Sequence, residues 1–134
     1  WKELEEFARH HRLLSWNPGI FAIYYDDPDV TGHEACRSDL CISTRKSCVE
    51  TGSVSFKNLP GGQYTVFRYK GPFELLWKLY DSIYGDWVLN TGLLLRDQPV
   101  IEKYLNYSPK TRPEDMVTEI YLPVEGHTEK RQFS

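Results

Sequence analysis

Apolar and polar positions alternate along this chain with two periods, and the switch between them marks out its elements. Trp1, Leu4, Phe7, Ala8 and Leu14 recur at helical spacing with His11 in the same register, while Glu3, Glu5, Glu6, Arg9 and Arg12 fall on the other side. This predicts an amphipathic helix over residues 1–16, ended by "NPG" at 17–19. "IFAIYY" (20–25) and "RSDLCIS" (37–43) read as strands. "DDPDVTGHE" between them is a turn, in which Thr31 and Glu34 resemble a capping box. Residues 44–53 follow neither period. "LPGG" (59–62) is the strongest break, and "QYTVFRYK" (63–70) is a strand. "GP" at 71–72 then opens a second helix, with Phe73, Leu76, Trp77, Tyr80, Ile83, Tyr84 and Trp87 along one side, and "NTG" (90–92) ends it. "PVIEKYLNYSP" (99–109) is a strand running into a turn. "VTEIYLPV" (117–124) is a strand, and the polar tail 125–134 is expected to fray.

The same order of elements occurs twice. "WKEL" at 1–4 matches "WKLY" at 77–80, "AIYYDDP" at 22–28 matches "EKYLNYSP" at 102–109 with one insertion, and "SDLCI" at 38–42 matches "TEIYL" at 118–122. The second copy runs strand, helix, strand, strand. The first begins at its helix, so on this register the leading strand of the first copy is expected to be missing from the chain.

The 134 residues fit one domain, and 40% apolar content is enough for one core. A formal net charge of −3 with no basic run longer than two residues argues against direct nucleic-acid binding. No apolar run approaches the ~20 residues that span a bilayer. Cys36, Cys41 and Cys48 form no CxxC pair, which predicts reduced thiols in a cytoplasmic protein and no zinc site.

The candidate chemistry lies on the strand near residue 102. With a period of two, Val100, Glu102, Tyr104 and Asn106 share one face, offering a carboxylate, a ring and an amide. A carboxylate partly removed from water is costly unless paired, and a bound cation can be its partner. The alternative is an ordinary solvent-facing acid, which is where most charged residues sit. Arg37, Asp39 and Glu119 read more readily as cross-strand ion pairs than as a groove wall. "DDPD" (26–29) lacks EF-hand spacing, His33 and His127 have no nucleophile partner, and "PGG" (60–62) precedes a strand and so is no phosphate loop.

The motifs "LPGGQYTVFRYKGPFELLWKLYDSIYGDWV", "PVIEKYLN", "TEIYLPV", "GIFAIYYDDPDVT" and "CRSDLC", taken in this order, resemble the GyrI-like small-molecule-binding domain. That domain also serves as the effector domain of AraC-type and MerR-type bacterial regulators. The likeness covers about residues 16–124, and Trp1 to Ser15 fit its first helix. It implies an α+β fold of two strand–helix–strand–strand repeats related by a pseudo-twofold, with two helices on one face of a curved antiparallel sheet and a ligand groove at the repeat junction. The domain would be 1–124, its repeats about 1–55 and 59–124, with 125–134 a tail. The resemblance places Glu102 at the groove floor. Tyr104, Tyr64, Trp77, Tyr80, Tyr121 and Tyr24 are candidate ligand-binding residues; of the adjacent pair Tyr24 and Tyr25 at most one can enter the groove, and the pleat register decides which. It further implies an amphipathic or cationic small molecule as partner, no cofactor, no catalytic residue, a possible homodimer, and DNA contact only through a domain outside this chain, since no helix-turn-helix pattern is present. The alternative it carries is a stand-alone gyrase inhibitor or a hydrolase of electrophilic toxins, with Glu102 as general base and a tyrosine as acid.

Overall fold

A computed structural model describes residues 2–12, 19–26, 37–44, 54, 61–125 and 130–133. The expected capping box at Thr31–Glu34 and two of the cysteines (Cys36 and Cys48) lie outside them, whereas the first helix ends at His10, short of the expected residue 16, with Arg12 just after it at φ 55°. Helix α1 (Lys2–His10) carries acids in its first turn and bases in its last, which complements the helix dipole, and Arg9 bonds Glu5 one turn back at 2.8 Å. Its buried residue is Ala8.

Strands β1 (Ile20–Tyr24), β2 (Ser38–Ile42), β3 (Tyr64–Lys70), β4 (Leu94–Leu95), β5 (Val100–Tyr104), β6 (Val117–Glu125) and β7 (Lys130–Phe133) form one curved open sheet. Its order is β2-β1-β5-β6-β3-β7, with β4 pairing β6 off this path. All pairs are antiparallel except β3–β7. The fraying expected of the tail is corrected for residues 130–133. Residues 130–133 add a parallel strand to the outer edge of β3, where unpaired backbone groups favour strand addition.

The register explains the pseudo-symmetry. The repeat equates Ala22 with Glu102 and Tyr24 with Tyr104, and β1 pairs β5 with Ala22 directly opposite Glu102. The pseudo-twofold therefore passes between these two residues, and Glu102 sits at the centre of the sheet beside it.

A 3₁₀ turn (Phe73–Leu75) leads into helix α2 (Leu76–Ser82), followed by a π-helical turn (Ile83–Trp87) and helix α3 (Val88–Thr91), which Gly92 ends at φ 71°. Leu76, Leu79 and Ile83 pack against Phe67, Ile120, Leu122 and Val124 of β3 and β6. The Trp87 ring stands edge-on to Phe67 with centroids 4.9 Å apart.

The helix is held to β3 by a tight corner. Gly71 has φ 152° and donates its N–H to Met116 O at 2.9 Å, and the Tyr69 hydroxyl next to it donates to Pro72 O at 2.9 Å. A Cβ on Gly71 would lie 2.6 Å from that hydroxyl oxygen. Replacing Gly71 by Ala should thus cost about 1–3 kcal/mol from backbone strain alone. Urea unfolding should show a lower midpoint with unchanged slope; an unchanged midpoint would mean that the corner relaxes freely.

Candidate functional site

Glu102 lies on β5, flanked by β1 and β6, and is only 4% exposed. On a pleated strand, side chains two residues apart share a face. Tyr104 is thus beside Glu102 and donates its hydroxyl to Oε1 at 2.8 Å. Tyr24, its counterpart across the pseudo-twofold, reaches the same place from β1. Its hydroxyl lies 3.3 Å from that of Tyr104, and it also hydrogen-bonds Glu102. Tyr80 reaches down from α2 and donates to Oε2. Three phenols from a helix and two strands therefore converge on one buried carboxylate.

The electrostatics follow from this geometry. Burial raises the Glu102 pKa, and the hydroxyls of Tyr80, Tyr104 and Tyr24 offset only part of that rise. The phenols are pushed the other way from useful acidity. Burial first, then the nearby Glu102 charge, raise Tyr80, Tyr104 and Tyr24 above their ordinary value. They are neutral donors at physiological pH. Among the described residues, no ion pair includes Glu102. The partners of the carboxylate there are hydroxyl dipoles.

The structure thus brings Glu102, Tyr104, Tyr80 and Tyr24 together. The pleat register settles the adjacent pair: Tyr24 faces the carboxylate, whereas the Tyr25 hydroxyl donates to Asp39 at 2.6 Å. Trp77 is on α2 and 57% exposed. Tyr64 and Tyr121 are elsewhere. Their rings meet edge-on at 6.1 Å on the opposite face of the sheet, because Tyr121 pairs with Ile101 and Val66 whereas Glu102 pairs with Ile120. There, the Tyr121 hydroxyl donates to Glu119 at 3.1 Å and Arg68 pairs with Glu119 at 3.0 Å. Asn106, expected in line behind Glu102, lies past the end of β5. Its side chain donates to Asp115 O and accepts from Val117 N–H, both at 2.8 Å, so it pins the turn before β6. The ion-pair reading holds for Arg37, which pairs with Asp26 at 2.9 Å, and for Glu119.

Two aromatic residues outside the expected set belong to the surroundings. The Phe73 ring stands edge-on to Tyr104 at 5.3 Å, and Tyr84 lies parallel to Tyr80 with centroids 6.4 Å apart. Their signal was the aromatic spacing on the second helix, where a ring lining the core and a ring lining a groove look alike in sequence.

The profile of the GyrI-like small-molecule-binding domain matches residues 1–125. The chain is also similar to a probable transcriptional regulator of Escherichia coli strain K12, YgiV, at 29% identity over 105 residues, which cover 78% of this chain and 66% of the relative. A further relative is the probable SPbeta prophage-derived transcriptional regulator YosT of Bacillus subtilis strain 168, 30% identical over 106 residues, covering 77% of this chain and 70% of the relative. The chain therefore matches just under two thirds of the length of the Escherichia coli relative. On the extent of the profile match and on a fold whose two repeats meet at Glu102, the chain belongs to the GyrI-like small-molecule-binding domain family.

Proposed function

We propose that the chain is the effector-sensing domain of a bacterial transcription regulator and that it binds amphipathic cations over Glu102. The observation that carries this reading is a carboxylate that is 4% exposed and met by neutral hydroxyls. Once ionised, such a group carries a full negative charge in a poorly hydrated place. A ligand cation gains there more than it would from an exposed acid. The surrounding rings present faces that attract cations by about 0.5–2 kcal/mol each when suitably aligned. A regulatory role is consistent with the names of the relatives, both of them named probable transcriptional regulators. The raised tyrosine pKa values speak for binding rather than for acid catalysis, because a phenol held above its ordinary value gives up its proton less readily.

The reading has a pH signature. Cation binding requires ionised Glu102, whose pKa is raised by burial. Affinity should be full above that pKa and fall about tenfold per unit below it, with a midpoint above the usual glutamate value of about 4.3. Tyr80, Tyr104 and Tyr24 face the same carboxylate but stay neutral throughout this window. Fluorescence titration with 4-biphenylmethyl-trimethylammonium between pH 8 and pH 4.5 measures this. A profile that stays flat to pH 4.5 would count against a carboxylate-centred site.

A further inference from the structure

Among the described residues β7 is lightly anchored. It pairs with β3 alone, from Val66↔Lys130 to Tyr69↔Phe133. Its sequence, "KRQF", has no apolar alternation to hold it to a core. β3 runs antiparallel to β6 and parallel to β7, so the chain leaves β6 at Glu125 and re-enters the sheet on the far side of β3. The β3–β6 register puts Tyr64 opposite Pro123, and Val124 N–H bonds Gln63 O at 3.0 Å, so Glu125 is level with Gly62. Lys130 is level with Val66. Between these two points lie two strand spacings across the sheet, about 10 Å, and four residues along it, about 13 Å. The straight line is thus about 16 Å, and the five steps from residue 125 to residue 130 reach about 17 Å at full extension. β3 itself blocks that line. Residues 61–63 carry its backbone on past this level, held by Arg96, which donates to Gly61 O at 3.1 Å and to Gln63 O at 2.7 Å. A connection within one chain therefore has to climb over β3 near Tyr64, and the detour takes the remaining reach.

We propose that the outer edge of β3 is an exchange site and that its partner is β7 of a second copy of this chain. Each copy lends residues 130–133 to the other. The backbone pairs formed are those of the described sheet, since the exchanged strand is identical. What changes is the connection, which no longer crosses the strand that it caps. Short connections that close poorly within one chain favour such exchange. The exchange is reciprocal, so it closes as a twofold pair and leaves the edge of β3 covered in both copies. A strand from an unrelated protein would meet the same backbone groups but would leave β7 displaced and unpaired. The proposal is independent of the cation-binding reading, because β6 and β3 separate this edge from β5, which bears Glu102.

The test reads which chains a cross-link joins. Val66 and Lys130 are Cα partners on adjacent strands, a spacing that a disulfide can bridge. Val66→Cys and Lys130→Cys are made on separate chains, with Cys36, Cys41 and Cys48 replaced by Ser. The two chains are unfolded together, refolded and oxidised. Exchange predicts a covalent two-chain product on a non-reducing gel, and light scattering of the native protein should give twice the single-chain mass. Two further variants separate exchange from other dimers. An insert of about six Gly and Ser residues after Glu125 adds on the order of 20 Å of reach. It should return the protein to the single-chain mass with unchanged circular dichroism. Deletion of residues 130–134 should also give the single-chain mass. A native protein of single-chain mass, in which Val66→Cys and Lys130→Cys placed on one chain close within that chain, would overturn the proposal. So would a dimer that survives both the insertion and the deletion.

Discussion

Replacing Glu102 by Gln should weaken binding of a lipophilic cation by about 10- to 100-fold while leaving its neutral isostere nearly untouched. The substitution keeps volume and one oxygen that can accept from Tyr104 or Tyr80, and it removes the charge. A hydrogen bond or close contact to a charged group contributes about 1.5–3 kcal/mol, which sets that range. A second readout separates lost function from lost fold. The Glu102 pKa is raised in the folded protein, so burial disfavours the ionised form. An acid of this kind binds more protons folded than unfolded, and the folded state loses stability as pH rises from the unfolded pKa to the folded one. Glu102→Gln should therefore melt no lower than the native protein at neutral pH, with any gain shrinking in acid. A variant that binds less and is no less stable is the mark of a site where charge is kept at a cost. Glu125, at the exposed end of β6, provides the control: Glu125→Gln should alter neither quantity.

Phe67→Ala should lower stability by about 3–5 kcal/mol, the range for removing a large aromatic side chain from a packed core. Phe67 is 0% exposed, packs with Ile120 and Leu122, and supports Trp87 edge-on. Its loss leaves a cavity under the helical segment that carries Tyr80. The melting temperature should fall by roughly 10–20 °C for a domain of this size. Affinity for the cation should fall too, since Tyr80 reaches Glu102 only while the helix sits on this core. A shift of less than about 5 °C would mean that the seam between the helix and β3 is not the main core.

Much of the fold was legible because its two periods are clean. The alternation in "QYTVFRYK" and "VTEIYLPV" and the spacing of Leu76, Leu79 and Ile83 each name a buried face, and both strands and helix formed where that spacing placed them. The repeat supplied what local patterns could not. It aligned Tyr24 with Tyr104 and set both beside the pseudo-twofold. The site was legible only in part. Period two tells which residues share a face within one strand and is silent on the register between strands. Hence Tyr64 and Tyr121, grouped by type with the others, lie on the far side of the sheet from Glu102. Asn106 was assigned by alternation beyond the point where the strand ends, and side-chain bonds to the turn claimed it instead. Tyr104 followed from alternation with Glu102 and Tyr24 from the repeat, whereas the bond from the Tyr80 hydroxyl joins two elements distant in sequence, which no local pattern reports. These hydroxyls change the opening picture of Glu102. It has partners, all neutral, and what it lacks among the described residues is a countercharge. The strand at 130–133 was missed because "KRQF" carries no apolar alternation, and its pairing rests on the free edge of β3.

The most direct measurement is isothermal titration of the native protein and of Glu102→Gln with a matched pair, 4-biphenylmethyl-trimethylammonium and the neutral compound in which carbon replaces its nitrogen. A charge-reading site predicts that the cation binds the native protein at least tenfold more tightly than its neutral twin, and that Glu102→Gln brings the two together. Equal affinities in the native protein, or a preference for the cation that survives in Glu102→Gln, would contradict it.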